Sequence, residues 1–518
     1  MMDDQQEVTD FLSQPSSYSE GVERVEIIET HASLVFLAAD RAYKLKRAVK
    51  YPYLDFSTVE RRRQACEAEL ALNRRTAPEM YLEVRALART AAGGVGFSST
   101  GPALDWVVVM RRFEQELLFA SLAKTGGLDP KIMSSLADNI ALFHSVAERR
   151  SQSGGAAEMA ELAEIQYRCL VAAQHAGFDW RSVDDIGAKW RERLAAVAML
   201  LDRRRLAGKI RHCHGDLHLR NICMLDGKPT LFDCLEFSDA LASIDVLYDL
   251  AFLLMDLEHR GLAHLANRVL NRYLDRAEED DGLAALPLFL SVRAGIRAHV
   301  TATGLERAAD ASTRAEMAGE ASRYLELARR LLQPEPCRLI AIGGVSGTGK
   351  STLAAGLAPG LGLRPGARVL RSDVTRKLLL GVDPETRLPA SAYTPEISRR
   401  VYDTLRRKAT LGLTAGYTVI VDAVSLAPDE RSSLAEVARA AAVPFSGLWL
   451  EAPSPVMEER ILTRRHDASD ASPAILAEQL RHDPGTIDWI RIDASGGPED
   501  CLAAARRALG IRQAALGR

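Results

Sequence analysis

A chain of 518 residues is longer than one hydrophobic core normally fills, so at least two domains are expected. Its 47% apolar and 26% charged residues are those of a globular protein, neither fibrous nor disordered. A formal net charge of −3, with basic and acidic residues interspersed, gives no electrostatic case for a nucleic acid or a membrane surface as partner.

The N-terminal MMDDQQEVTDFLSQ is acidic and polar, unlike a secretory signal. Residues 24–30, 32–39 and 41–47 read as short strands, 58–75 as a charged helix, and 106–113 as a further strand. From about 129 to 333 the pattern is mainly helical, broken at 222–233, where Asp226-Gly227 marks a hairpin turn. The basic run Arg203-Arg204-Arg205, continued by Lys209 and Arg211, reads as a solvated helix end. VLYDLAFLLMDL (246–257) is too short to cross a bilayer and carries two Asp. A helix over 312–333 ends at Gln333-Pro334-Glu335-Pro336, where two prolines suit a linker, so the main boundary is expected there. Beyond it, apolar runs at 338–344, 368–373, 417–423, 446–452 and 489–494 alternate with helices, the pattern of a parallel α/β sheet. Seven irregularly spaced cysteines form no disulfide framework, and a cytoplasmic protein is expected.

The strongest motif is Gly344-Val345-Ser346-Gly347-Thr348-Gly349-Lys350-Ser351, which fits G-x-x-x-x-G-K-[ST] between an apolar strand and an amphipathic helix. Glycines let backbone N–H groups curl round phosphate oxygens, and the helix dipole favours the anion. Lys350 is then expected to reach the β- and γ-phosphates of ATP and Ser351 to ligate Mg²⁺, with Thr352 completing the nucleotide site. Asp373 follows a strand whose C-terminal end faces the ligand crevice. It is placed to accept a proton from a substrate hydroxyl, with Arg376 three residues on to hold an anionic group. Asp422 closes another strand and suits the Mg²⁺ shell, although Asp373 and Asp422 also read as simple caps or turns. Arg460 and Arg464 share a helix face, with Arg465 beside them, and suit a lid that clamps phosphoryl oxygens; an exposed Arg-rich helix is the other reading.

These residues resemble the small P-loop kinases, a group that includes gluconate kinase, adenylylsulfate kinase, polynucleotide kinase and the zeta toxins. The resemblance spans most of 337–518. It implies an α/β P-loop NTPase domain that moves a phosphoryl group from ATP.

A second constellation lies upstream in HCHGDLHLRN (212–221). His214-x-Asp216-x-x-x-x-Asn221, followed beyond the hairpin by Asp233, matches the protein-kinase scheme of one carboxylate for the acceptor hydroxyl and an amide plus a second carboxylate for Mg²⁺. Cys213, His214, His218 and Cys223 alternatively offer four zinc ligands, without the paired spacing of a structural zinc site, and a plain polar turn is a third reading. The form HGDLHLRN is similar to the aminoglycoside phosphotransferase-like branch of the kinase fold. That resemblance, over about 24–260, implies Asp216 as catalytic base, His214 as orienter of the loop, and Asn221 and Asp233 as metal ligands. DVLYDLAFL (245–253) and LADNIALFH (136–144) are similar to helices of that family, with His144 read as structural. The fold also needs a strand lysine paired with a helix glutamate. Lys44 is preferred over Lys46, and Glu69 over Glu67, with a surface ion pair as the alternative. One departure is the lack of a G-x-G-x-x-G: residues 29–40 read ETHASLVFLAAD.

The expected architecture is therefore an α+β bilobal kinase-like part, with a small lobe at 1–115 and a helical large lobe at 116–333, followed by a three-layer P-loop kinase domain at 334–518. The expected function is a bifunctional ATP- and Mg²⁺-dependent phosphotransferase acting on small-molecule hydroxyls. A single active P-loop half with a regulatory kinase-like half, and a non-catalytic nucleotide-gated module, stand as alternatives. A nucleic-acid end kinase fits the charge less well. Neither acceptor nor the oligomeric state is legible.

Overall fold

The computed structural model describes residues 5–18, 21–51, 54–91, 93–98, 101–308, 310–463 and 468–511. The chain divides into two compact units, one of residues 1–158 with 201–256, the other of 159–200 with 257–518.

The first unit opens with a sheet of β1 (Val25–Glu29), β2 (Ser33–Ala38), β3 (Arg41–Lys46), β4 (Tyr81–Arg89), β5 (Val95–Phe97) and β6 (Ala103–Arg111). Its strand order is β1-β2-β3-β6-β4-β5, antiparallel throughout. Alternation along β3 sends Tyr43 and Leu45 into a core with Phe36, Val107 and the N-terminal helix residues Val8 and Leu12. Lys44 and Lys46 therefore share the opposite face. Helix α1 (Val59–Asn73) begins at Thr58, whose side chain caps the amide of Arg61. It brings Cys66 against Tyr81 and Val108.

The strands expected at 24–30, 32–39, 41–47 and 106–113 correspond to β1, β2, β3 and β6. β4 was not anticipated; its alternation over Leu82–Ala86 breaks at Leu87, beside a register shift between Leu87 and Ala88. The expected hairpin is present as β7 (Ile222–Leu225) and β8 (Lys228–Leu231), with Asp226 at φ +50° and Gly227 at φ +74° in its turn. The basic run departs from expectation. Arg204 is only 1% exposed and makes a bidentate pair with Asp245 at 2.7 and 2.8 Å, because the last turns of the 180–206 helix present it inward. Arg211 caps the carbonyls of Ser145 and Ala147.

The second unit contains a five-stranded sheet, all parallel, of β9 (Leu339–Gly343), β10 (Arg368–Arg371), β11 (Val419–Asp422), β12 (Phe445–Glu451) and β13 (Ile490–Asp493). The order is β10-β11-β9-β12-β13, so β9, which feeds the phosphate loop, is central. All five residues of β9 are buried, with one face packed on Leu353, Leu357 and Ala505 and the other on Leu405, Leu434 and Trp449. One run, Asp280–Glu306, is long and apolar enough to cross a membrane, but 72% of that window is buried inside the fold.

Helices that precede the prolines belong to this same unit. The helix Ala263–Ala277 covers the edge strand β10: Asn271 Oδ1 accepts from the Val369 amide at 2.7 Å, and Asn267 Nδ2 donates to the Ala367 carbonyl at 3.0 Å. Arg368 is fully buried between Asp280 at 2.6 Å and Asp275 at 2.7 Å, and Lys408 reaches Asp280 at 3.2 Å. Removing one member of such a network strands charge in a dry interior. Arg368→Ala is expected to destabilise the full chain by about 3–5 kcal/mol, read as a lowered urea midpoint.

Candidate active sites

The N-terminal site begins with the shared face of β3. Lys44 Nζ lies 2.7 Å from Glu69 Oε1 on α1 and 2.6 Å from Asp233 Oδ1. Burial disfavours the Lys44 ammonium, but Asp233 and Glu69 outweigh it and hold its pKa well above the usual lysine value. Glu69 is fully buried, and Lys44 and Lys46 overcome its desolvation and keep it ionised below the usual range. Asp233, 39% exposed, sits at φ +61°, and its amide donates to the Tyr81 hydroxyl at 3.1 Å. The next amide, Cys234, is fixed at 2.8 Å by Asn73 Oδ1, one turn beyond Glu69 on α1. The helix that carries the glutamate thus also fixes the chain at Asp233.

The decapeptide 212–221 forms a loop held from three sides. Asp249, on the helix Val246–His259, accepts the amides of His214 at 3.1 Å and Gly215 at 2.9 Å, and His144 Nε2 lies 3.1 Å from the same carboxylate. Asp256 takes the amide of Leu219 at 3.0 Å. Arg75, just beyond α1, donates to the carbonyls of His212 and Cys213 at 2.7 and 3.3 Å. His214 Nε2 faces the Phe232 carbonyl at 2.9 Å, tying this loop to the residue before Asp233. Asn221 Nδ2 donates to Asp216 Oδ2 at 2.8 Å, which leaves the Asp216 carboxylate partly exposed. The structure thus joins Lys44 to Glu69 and Asp233, Asp216 to Asn221, and packs His144 as a buried support.

The four sequence candidates for zinc are not gathered on one centre. Cys213 Sγ faces the Ile244 carbonyl and Cys223 lies in the apolar cluster with Cys66 and Tyr81. Among the described residues, the His, Cys and carboxylate atoms close enough to share a cation are those of His144, Cys213 and Asp249, and Asp249 is occupied by the loop amides. Sequence reading missed Arg75, Asp256, Lys46 as a buried group, and Glu236, which pairs with Lys46. Only Glu236 carried a signal, an acidic residue three positions beyond Asp233.

The C-terminal site is built at the C-terminal end of β9. Gly344 adopts φ +128° and Gly347 φ +85°, and a Cβ on either would lie 2.6 Å from a backbone oxygen, of Leu450 and Met457 respectively. Only glycine lets the loop pass between those chains. The loop leads into the helix Lys350–Leu357. Lys350 Nζ donates to the Gly344 and Val345 carbonyls at 2.8 and 2.9 Å, and Ser351 Oγ to Asp422 Oδ2 at 2.6 Å. Asp373 and Arg376 lie one turn apart on the helix Ser372–Leu379. Burial pushes the Asp373 carboxyl above its ordinary value, Asp422 adds to the rise, and Arg371 and Lys350 oppose it. Arg376 is buried, donates to the Ala392 carbonyl at 3.0 Å and Ser398 Oγ at 3.3 Å, and lies 4.6 Å from the Tyr393 ring centre.

Arg460 holds the carbonyls of Ala494 and Gly496, both at 2.8 Å, and so braces the loop after β13. Arg464 and Arg465 lie outside the described residues. Gln479, not anticipated, accepts the Ser346 amide at 2.8 Å and joins the helix Pro473–Arg481 to the phosphate loop. Ser346 to Thr352, Asp373, Arg376, Asp422 and Arg460 line one cleft of about 1150 Å³.

The two folds define a kinase-type phosphotransferase, an aminoglycoside-phosphotransferase-like kinase fold followed by a P-loop kinase fold. Residues 53–286 match the family model described as a phosphotransferase enzyme family, and residues 339–482 match the one described as an AAA domain. The uncharacterized protein Rv2004c of Mycobacterium tuberculosis (strain ATCC 25618 / H37Rv) is 32% identical over 485 residues, 92% of this chain and 93% of that protein. Mycobacterium bovis Mb2027c gives the same identity and coverage. The chain belongs to the same family as these mycobacterial proteins. Among solved structures, a choline/ethanolamine kinase family protein from Mesorhizobium loti is 15% identical and covers 62% of this chain and 99% of its own, with a TM-score of 0.38. A sugar kinase from Janibacter sp. HTCC2649 is 24% identical and covers 35% and 99%, with a TM-score of 0.28.

Asp249 gives the direct test of the loop's support. Asp249→Ala leaves two buried amides without an acceptor, at about 1–3 kcal/mol each. The variant is expected to unfold at lower urea, and Asp249→Asn, which keeps one acceptor oxygen, to lose less.

Proposed function

We propose that each half transfers the γ-phosphoryl group of ATP to a hydroxyl of a small molecule, so that the chain is a bifunctional phosphotransferase. The observation that carries this reading is that each half gathers a lysine, a carboxylate beside a neutral oxygen-bearing side chain, and a further carboxylate. In the N-terminal half these are Lys44, Asn221 with Asp233, and Asp216. In the C-terminal half they are Lys350, Ser351 with Asp422, and Asp373.

Mg²⁺ fits both donor sets. Ser351 and Asp422 already approach each other through oxygen, and Asn221 spends its amide nitrogen on Asp216, so its carbonyl oxygen remains to serve a hard cation. When bound, the ion would offset charge on the phosphates. The protein's own part is to orient. Asp216 and Asp373 accept the acceptor hydroxyl proton at a carboxylate oxygen, and the glycine-lined loop holds phosphate oxygens on backbone N–H groups. Arg376 holds an anionic group of the C-terminal acceptor, and Arg460 borders the transferring phosphoryl.

Tracing of γ-labelled ATP into a panel of hydroxylated metabolites tests this on the full chain. Asp216→Ala is expected to lower one transfer by about 10²–10⁴-fold and Lys350→Ala to abolish the other. If Asp216→Ala changes transfer to no acceptor, the bifunctional reading fails.

The pH profile supplies a further expectation for the C-terminal transfer. A base must be ionised to act, and burial raises the Asp373 carboxyl. The acid limb of kcat/KM is therefore expected above the ordinary aspartate value of about 3.9, and a limb at or below that value would remove Asp373 as the base.

A further inference from the structure

The N-terminal site holds a second lysine that the transfer chemistry does not use. Lys46 stands two residues beyond Lys44 on the same face of β3 and is 1% exposed, against 13% for Lys44. Its Nζ contacts Glu69 Oε2 and Glu236 Oε1, and lies 5.2 Å from the centre of the Phe56 ring. The Glu69 carboxylate is thus divided, with Oε1 on Lys44 and Oε2 on Lys46. Glu236 lies in the same loop as Asp233, so the two lysines form two rungs between β3 and that loop: Lys44 to Asp233 and Lys46 to Glu236.

The rungs differ in what they can do. A lysine that serves a phosphate must be able to leave a carboxylate, and Lys44 is the more accessible of the two. Once Lys44 moves toward an anion, Glu69 and the loop at Asp233 lose one tie each. Lys46 keeps both in place, because it binds the other oxygen of Glu69 and a different carboxylate of the loop. A buried ion pair contributes little net stability relative to apolar residues of similar size, since desolvation cancels most of the attraction. Its effect lies in fixing geometry.

We propose that Lys46 and Glu236 are a positioning pair for the N-terminal phosphotransfer site, holding Glu69 and the Asp233 loop in place while Lys44 serves the phosphate. The proposal rests on the phosphotransfer reading of that half. It assigns the two lysines different duties, with Lys46 keeping Glu69 in place when Lys44 turns to the phosphate.

The test uses the full chain carrying Lys350→Ala, so that only the N-terminal site binds nucleotide. Affinity for a fluorescent ATP analogue, ATP hydrolysis without acceptor, and the thermal midpoint are measured on this parent, on Lys44→Met, and on the double variant K46M/E236L. The double variant removes both charges together and avoids stranding either. It is expected to keep its thermal midpoint and bind nucleotide within threefold of the parent, yet hydrolyse ATP at least tenfold more slowly. Lys44→Met is expected to lose at least tenfold in affinity. Hydrolysis by the double variant within threefold of the parent would overturn the positioning role, and so would its failure to fold, which would make the pair a structural element. A parent that binds no nucleotide would overturn the phosphotransfer reading of this half and the proposal with it.

Discussion

An ammonium group held between two carboxylates, Lys44 between Glu69 and Asp233, is the interaction on which the N-terminal half turns. Charge of both signs has to be concentrated where phosphates bind, and a low dielectric makes every unpaired charge costly. The surrounding structure supplies pairs. Glu69 is served by two lysines, Asp216 by an asparagine, and the loop amides of His214 and Gly215 by Asp249. These groups are carried by a strand, two helices and a loop braced at both ends, the placement that holds reacting groups in register.

The C-terminal half meets the same demand by different means. Its glycine-rich loop passes where only glycine can thread, at Gly344 and Gly347, and runs into the helix that follows. Side chains add Lys350 and the oxygen pair of Ser351 and Asp422. A parallel sheet with β9 at its centre puts that loop, Asp373 and Asp422 at strand ends on one side, where α/β sheets bind ligands. On the proposed function, the two halves are unrelated frames for similar chemistry, one reading phosphate with a strand lysine and the other with N–H groups.

Local patterns were the legible part of this chain. The β1–β3 strands, the hairpin at Asp226-Gly227 and the phosphate loop each carry a period or spacing that a few adjacent residues set. The trio of Asp216, Asn221 and Asp233 was legible because the hairpin between them is short. What escaped was long-range. Lys46 and Glu236 are 190 positions apart, and Arg368 and Asp280 are 88 apart, so neither pair leaves a mark on any short window. Arg204 looked like one of several solvated basic residues because its partner, Asp245, lies on a strand that only the folded chain brings near. The edge of the C-terminal sheet was equally hidden, since the helix that covers it precedes the two prolines.

Counting the nucleotides that one chain binds tests the central claim most directly. Calorimetric titration of the full chain with a non-hydrolysable ATP analogue and Mg²⁺ is predicted to give two sites per chain, falling to one with Lys350→Ala. A single site in the parent chain, lost entirely with Lys350→Ala, would contradict it.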